Sequence, residues 1–163
     1  MRLLRHLFAP SSRRLFPEDS LQRITQAIAD GERSHRGEVM FAVESNLPPG
    51  ALLAGTQARE RAHEAFVRLR TWDTDANNGV LIYLLLADHR IEIVADRGLT
   101  GRVSDAEWAA VCRLIEAEMR ADHPEQAILE GIRAVSDHLA RHFPQSDGQQ
   151  DEDELPNRPH LLD

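Results

Sequence analysis

The sequence predicts an α/β fold, a three-layer α/β/α sandwich around a small mixed sheet, with elements in the order α-β-α-β-β-α-α. Three observations predict it. Two short runs, EVMFAVE at 38–44 and VLIYLLLA at 80–87, are apolar without alternation, as in strands covered by helices on both faces. A helical pattern lies between them, so the two strands form a crossover unit, parallel and right-handed. A third run, RIEIVAD at 90–96, follows after only Asp88 and His89, which makes an antiparallel hairpin.

Each element has its own signals. Pro17, Glu18 and Asp19 open a helix over about 18–34, with Leu21, Ile24 and Ile28 at spacings of three and four. Gly37 breaks it before the strand at 38–44. Asn46 to Gly50, with two prolines, is a loop. A helix over about 55–70 turns Ala58, Ala62, Ala65, Phe66 and Leu69 inward. After the hairpin, the glycine-bearing RGLTG at 97–101 leads to a third helix. Ser104 and Glu107 form its capping box, and Trp108, Val111, Cys112, Ile115 and Met119 line its core face. Pro124 and Glu125 open the last helix, which carries Ile128, Ile132, Val135 and Leu139 inward and ends near Phe143 and Pro144.

The 163 residues suit one domain with a single core, 42% hydrophobic and 28% charged. The expected division is a flexible basic arm over 1–16, a folded domain over 17–144 and an acidic disordered tail over 145–163. The tail holds six acids and one arginine, Arg158, so it carries −5 of the chain's −8. A net charge of −8 argues against general nucleic-acid binding. The longest apolar run is eight residues, too short for an integral membrane segment or a signal-peptide core, and the expected location is cytoplasmic. The arm, acid-free with Arg and Ser, also fits a transit peptide or a short amphipathic segment lying on a membrane. The tail's ELPNRP, at 154–159, offers a docking peptide for a protein partner. The lone Cys112 excludes an intrachain disulfide and reads as a core residue.

The stretch WDTDANNG at 72–79 is the best site candidate. It enters the second strand, and topology brings the end of the third strand to its side. Asp73, Asp75, Asn77, Asn78 and Asp96 then gather at one sheet edge, near Ser104 and Asp105. Calcium takes six to eight oxygens from such carboxylates, amides and carbonyls, and magnesium also prefers oxygen. The D-x-D-x-N spacing matches the first half of an EF-hand loop. It fails later, with Asn78 where the loop needs Gly and Leu84 where it needs Glu. Two readings stay open: a bound cation, or Asp and Asn acting as turn formers ahead of Gly79. Arg97, in a glycine-bearing loop near a helix start, is the phosphate-binding candidate. His138 and His142, four apart on the last helix, could share a metal or complement the helix C-terminus. No catalytic triad, P-loop or G-x-G-x-x-G is present.

The ordered series NNGVLI at 77–82 and DHRIEIVADRGLTG at 88–101 resembles the TPM domain family. That family is named for a thylakoid lumen protein, a photosystem II repair protein and a nematode receptor auxiliary protein. Its usual run is (D/N)-N-G-V-L-L-L-V, then D-D-R-x-x-x-I, then G-Y-G-L-E-G. Asn78-Gly79-Val80-Leu81, Asp88, Arg90, Gly98-Leu99 and Gly101 stand on those positions, and Trp72 matches a tryptophan common before the loop. The resemblance covers about residues 17 to 143. It implies an α/β/α sandwich, calcium binding near the loop edge in some members, and acid phosphatase activity in plant members. Asp96-Arg97-Gly98 departs from the family's G-Y-G, and the signal peptide and C-terminal membrane helix of many bacterial members are not recognised, so the chain resembles the short soluble members. The expected function is an accessory or binding module that holds calcium or magnesium at the WDTDANNG edge. The alternative is a metal-assisted phosphatase acting on phosphomonoesters, with Asp73, Asp75, Asn78 and Asp96 on the cation and Arg97 on the phosphate.

Overall fold

Strand β1 (Glu38–Glu44) is an inner strand of the sheet. It pairs in parallel with β2 (Gly79–Leu85), Glu38 opposite Gly79 and Glu44 opposite Leu85. β3 (Arg90–Ala95) returns antiparallel to β2, with Val80 opposite Ala95. β4 (His160–Leu161) lies parallel to β1 on its other side, giving the order β3-β2-β1-β4. The computed structural model describes residues 1–146 and 154–163. Its helices are α1 (Arg2–Leu7), α2 (Ser12–Leu15), α3 (Glu18–Glu32), α4 (Pro49–Leu53), α5 (Ala58–Arg68), α6 (Asp105–Arg120) and α7 (Pro124–His142).

Strand alternation divides the core in two. Val39, Phe41 and Val43 of β1, with Val80, Ile82 and Leu84 of β2, pack with Ile24 of α3, Ile115 of α6 and Ile132 of α7. The intervening Met40, Ala42, Leu81, Tyr83 and Leu85 pack with Ala62, Ala65 and Phe66 of α5. Helices on both faces are the reason every residue of β1 and β2 is buried. Local signals start α6 and α7 where expected: Ser104 and Glu107 form the capping box of α6, and Pro124 begins α7. α5 starts at Ala58 rather than about 55, and Gln57 and Glu60 form its capping box.

Three expectations are corrected. The arm over 1–16 carries two helices and buried polar anchors. His6 and Ser12 are 4% and 0% exposed, because Arg2 and His6 both bond Asp88 and Ser12 bonds Asp163. The described part of the expected disordered tail, 154–163, lies on the domain. Leu155 is buried, β4 pairs with β1, and Arg158 pairs with Glu18, while 147–153 lie outside the described residues. The hairpin turn spans 86–89 rather than two residues. Leu86 and Ala87 continue the parallel pairing, donating to the carbonyls of Glu44 and Ser45, and His89 takes φ 51° to complete the turn.

Glu44, buried at the end of β1, is fully matched. The Glu44 carboxylate accepts from Arg61 Nε at 2.9 Å, from Arg61 Nη2 at 2.8 Å and from the Tyr83 hydroxyl at 2.6 Å. This two-pronged pairing holds Arg61 charged, and burial with the bond to Glu44 keeps the Tyr83 phenol protonated. His35, 1% exposed, accepts from the Gly37 N–H through Nδ1. Burial pushes its pKa from 6.5 down to about 4.

Two outcomes are expected. Arg61→Leu leaves Glu44 buried without its cation and lowers stability by about 3–5 kcal/mol, whereas the double substitution Glu44→Gln, Arg61→Leu costs less than the single one. Denaturant unfolding of the three proteins measures both. The second outcome concerns pH. Unfolded, His35 takes up its proton near 6.5; folded, it does so only near 4, so the unfolded state binds more protons between those values. Stability therefore falls as pH drops from 6.5 to 4, by at most about 1.4 kcal/mol per pH unit from this residue. In His35→Gln the slope of unfolding free energy against pH should lose one proton's worth in that window.

Candidate functional site

The loop between α5 and β2 is built by its backbone. Thr71 N–H donates to Phe66 O, and the buried Thr71 hydroxyl donates to Met40 Sδ, which pins the loop beneath the sheet. Thr74 closes the next turn. Its carbonyl accepts from Asn77 N–H at 3.2 Å and its hydroxyl accepts from Asn78 N–H at 3.1 Å. Asn77 takes φ 52°, a left-handed angle that asparagine tolerates better than most residues. The chain is then aimed into β2.

Two glycines let the strands and this loop touch. A Cβ on Gly79 would fall on the Thr71 carbonyl oxygen. A Cβ on Gly98 would collide with the carbonyls of Ala76 and Asn77. Gly98 N–H donates to Asn77 O at 2.8 Å, and Asp96 N–H donates to Gly79 O at 2.9 Å. Asp96, Arg97 and Gly98 therefore stand beside Asn77–Gly79, as strand direction requires.

The five candidate ligands differ in their surroundings. Asp73 is exposed and paired with Arg70 at 2.6 Å. Asp75 is exposed, and its N–H donates to Glu154 Oε2. Asn77 contributes its carbonyl to the loop packing described above. Asn78 is fully buried. Its Nδ2 donates to Arg36 O at 2.9 Å, while its Oδ1 is buried with no hydrogen-bond partner. Asp96 accepts from Arg97 N–H through Oδ1 at 2.7 Å, and its Oδ2 is likewise buried without a partner. Arg97 is exposed, in the 3-10 turn Arg97–Leu99. Among the described residues, no group of three or more His, Cys, Asp or Glu is placed to hold a metal ion. Ser104 is taken up by its capping box with Glu107.

Two carboxylates at this edge escaped the sequence reading. Glu38, 3% exposed, opens β1 opposite Gly79, and its Oε1 accepts from Glu154 N–H at 3.1 Å. Glu154 thus touches both Glu38 and Asp75. A glutamate at the border of a run buried on both faces was the available signal for Glu38. The return of Glu154 to this edge, and of the segment after it along β1, had none beyond the apolar Leu155, Leu161 and Leu162.

Elsewhere, burial pushes the Cys112 thiol up to about 11, which suits a packing residue and not a nucleophile. His138 stacks edge-on to Trp108 with centroids 5.4 Å apart, and burial lowers its pKa.

The sequence profile of the TPM domain matches residues 12–138. The chain belongs to the TPM domain family. Among solved structures it is similar to the BA42 protein of the psychrophilic bacterium Bizionia argentinensis, at TM-score 0.76 and 29% identity over 88% of this chain and 92% of that one. The N-terminal domain of a protein from P. gingivalis matches at TM-score 0.64 and 16% identity, over 83% and 85% of the two chains. The N-terminal domain of the cg2496 protein from Corynebacterium glutamicum matches at TM-score 0.56 and 12% identity, over 83% and 81%. The last two show the fold alone. No curated protein matches by sequence. The asparagine-glycine pair of the TPM domain here has two physical duties: Asn78 ties the entrances of β1 and β2, and Gly79 admits the Thr71 carbonyl.

Gly79→Ala and Gly98→Ala should each destabilise the protein by about 1–3 kcal/mol, since backbone must move to make room. Gly50→Ala, with nothing near its Cβ inside α4, should be neutral or stabilising by up to about 1 kcal/mol. Thermal unfolding of the three variants checks the contrast.

Proposed function

We propose that this TPM domain acts as an accessory or binding module in the cytoplasm that holds a divalent cation, calcium or magnesium, at the entrance of β2. What carries the reading is the pair of buried oxygens without hydrogen-bond partners, Asn78 Oδ1 and Asp96 Oδ2, on adjoining chain segments. Buried polar atoms are ordinarily satisfied, and hard cations satisfy oxygens. The donor chemistry fits. Asn78 and Asp96 supply an amide oxygen and a carboxylate, and water completes the shell. Asp73 and Asp75 are exposed and act in an outer role, by long-range attraction. The cation's own contribution is charge that fixes the loop 73–79 against 96–98.

The alternative keeps the same site for metal-assisted hydrolysis of a phosphomonoester. The exposed Arg97 beside Asp96 favours it, as a guanidinium able to neutralise the phosphate. The metal would supply Lewis acidity to the phosphoryl group and activation of water.

Calcium titration followed by amide NMR tests the binding reading. Shifts should concentrate at 73–79 and 96–98, and Asp96→Asn should weaken affinity about tenfold or more, since calcium affinity follows ligand charge. No shifts at those residues with either calcium or magnesium would sink it. Hydrolysis of a chromogenic phosphate ester that needs the metal and is lost in Arg97→Gln would select the enzyme.

A further inference from the structure

Helix α1 is docked with its amphipathic faces reversed. Two of its polar side chains, Arg2 and His6, point into the protein, while Arg5 is exposed. Arg2 grips both oxygens of Asp88 and donates to Thr56 O at 2.7 Å. His6, 4% exposed, accepts from Leu47 N–H through Nδ1, which leaves Nε2 to donate to Asp88 at 3.1 Å. Burial alone would raise the pKa of Asp88, but the bonds from Arg2 and His6 outweigh it and hold the carboxylate charged. The apolar side chains point outward. Leu3, Leu4, Leu7 and Phe8 are 57%, 55%, 68% and 79% exposed. Their spacing puts all four on one contiguous face. Leu4 and Phe8 line a shallow groove together with Arg5, His89 and the buried Leu86 and Ala87 of the sheet-end turn.

Large apolar side chains gathered on one small convex surface call for a partner. Charge identifies which. Residues 1–16 hold four arginines and no acid, and Arg5, Arg13 and Arg14 are exposed. Residues 17–163 therefore carry −12 of the chain's charge. The acid-free segment 1–16 is thus set against an acidic remainder, and the exposed apolar helix belongs to the positive segment. A second protein is a poor match, because a six-residue helix is only about 9 Å long and offers far less than the ~1,000 Å² of a stable interface. A bilayer needs no such area. Aliphatic and aromatic side chains enter the headgroup and acyl boundary, while arginines pair with lipid phosphates.

We propose that α1 is a surface anchor that lays Leu3, Leu4, Leu7 and Phe8 on an anionic lipid bilayer, with the exposed Arg5, Arg13 and Arg14 at the headgroups. Arg2, His6 and Asp88 fix the helix so that these side chains cannot fold inward. One short anchor gives weak, reversible and salt-sensitive attachment.

Flotation of the full chain with vesicles tests this. Vesicles of phosphatidylcholine and phosphatidylglycerol in equal parts should carry the protein at low salt. Phosphatidylcholine alone, or high salt, should release it. The double substitution Leu7→Ser, Phe8→Ser should weaken attachment about tenfold or more. Both residues are exposed, so the amide NMR spectrum outside the arm should be unchanged. Arg5→Gln with Arg14→Gln should remove most of the preference for anionic lipid. No attachment to the mixed vesicles at low salt overturns the proposal, as does attachment indifferent to the Leu7, Phe8 pair. A lipid-free dimer abolished by the same pair would assign the face to a second copy and overturn it equally.

Discussion

β1 is the constraint on which the rest depends. Its seven residues are buried, and a glutamate stands at each end. The five apolar residues between them force helices onto both faces. The two carboxylates then force polar partners to both ends, since a buried charge without a partner is costly. At one end Glu44 draws Arg61 from α5 and Tyr83 from β2 into a single cluster. This sets how α5 lies across the sheet. At the other end Glu38 receives the backbone of Glu154. The segment that ends in β4 is thereby led along the strand. One sequence feature, EVMFAVE, thus organises the central strand, the crossover helix and the C-terminal edge.

The candidate site is a by-product of how the chain re-enters that sheet. β2 must begin beside β1, directly after a helix that ends beneath the sheet. The loop has to pass close under the strand, and Gly79 lets it. The same closeness removes water from Asn78 and leaves its amide to serve β1's entrance on one side only. Packing therefore produces the unmatched oxygens, and a cation would answer a difficulty the fold itself creates.

Much of this could be read from residues alone, for reasons that differ by element. β1, the crossover and the hairpin were legible because burial on both faces imposes unbroken apolar runs, and α6 because Ser104 and Glu107 write its start. The meeting of Asp96 with Asn77–Gly79 was legible because strand direction decides which ends are neighbours. The flanks were not. Two residues suffice for β4, and no periodicity exists in so short a run. The arm's helices hide because α1 turns Arg2 and His6 toward the protein and exposes leucines, the reverse of the usual pattern. Within the site, composition could not separate Asp73, paired at the surface with Arg70, from Asp96 with its buried oxygen; that depends on which side of the backbone each faces.

Asp163 links what sequence distance separates. It receives the Ser45 N–H and hydroxyl beyond the end of β1, and the Ser12 N–H and hydroxyl at the start of α2, 151 residues away. Burial would raise its pKa, and these bonds together hold it below the usual range. A pull on either flank of the domain is consequently delivered to the same carboxylate. The N-terminal and C-terminal segments behave as one mechanical clasp over the sheet edge. Local opening at one should loosen the other before the core strands exchange their protons with water.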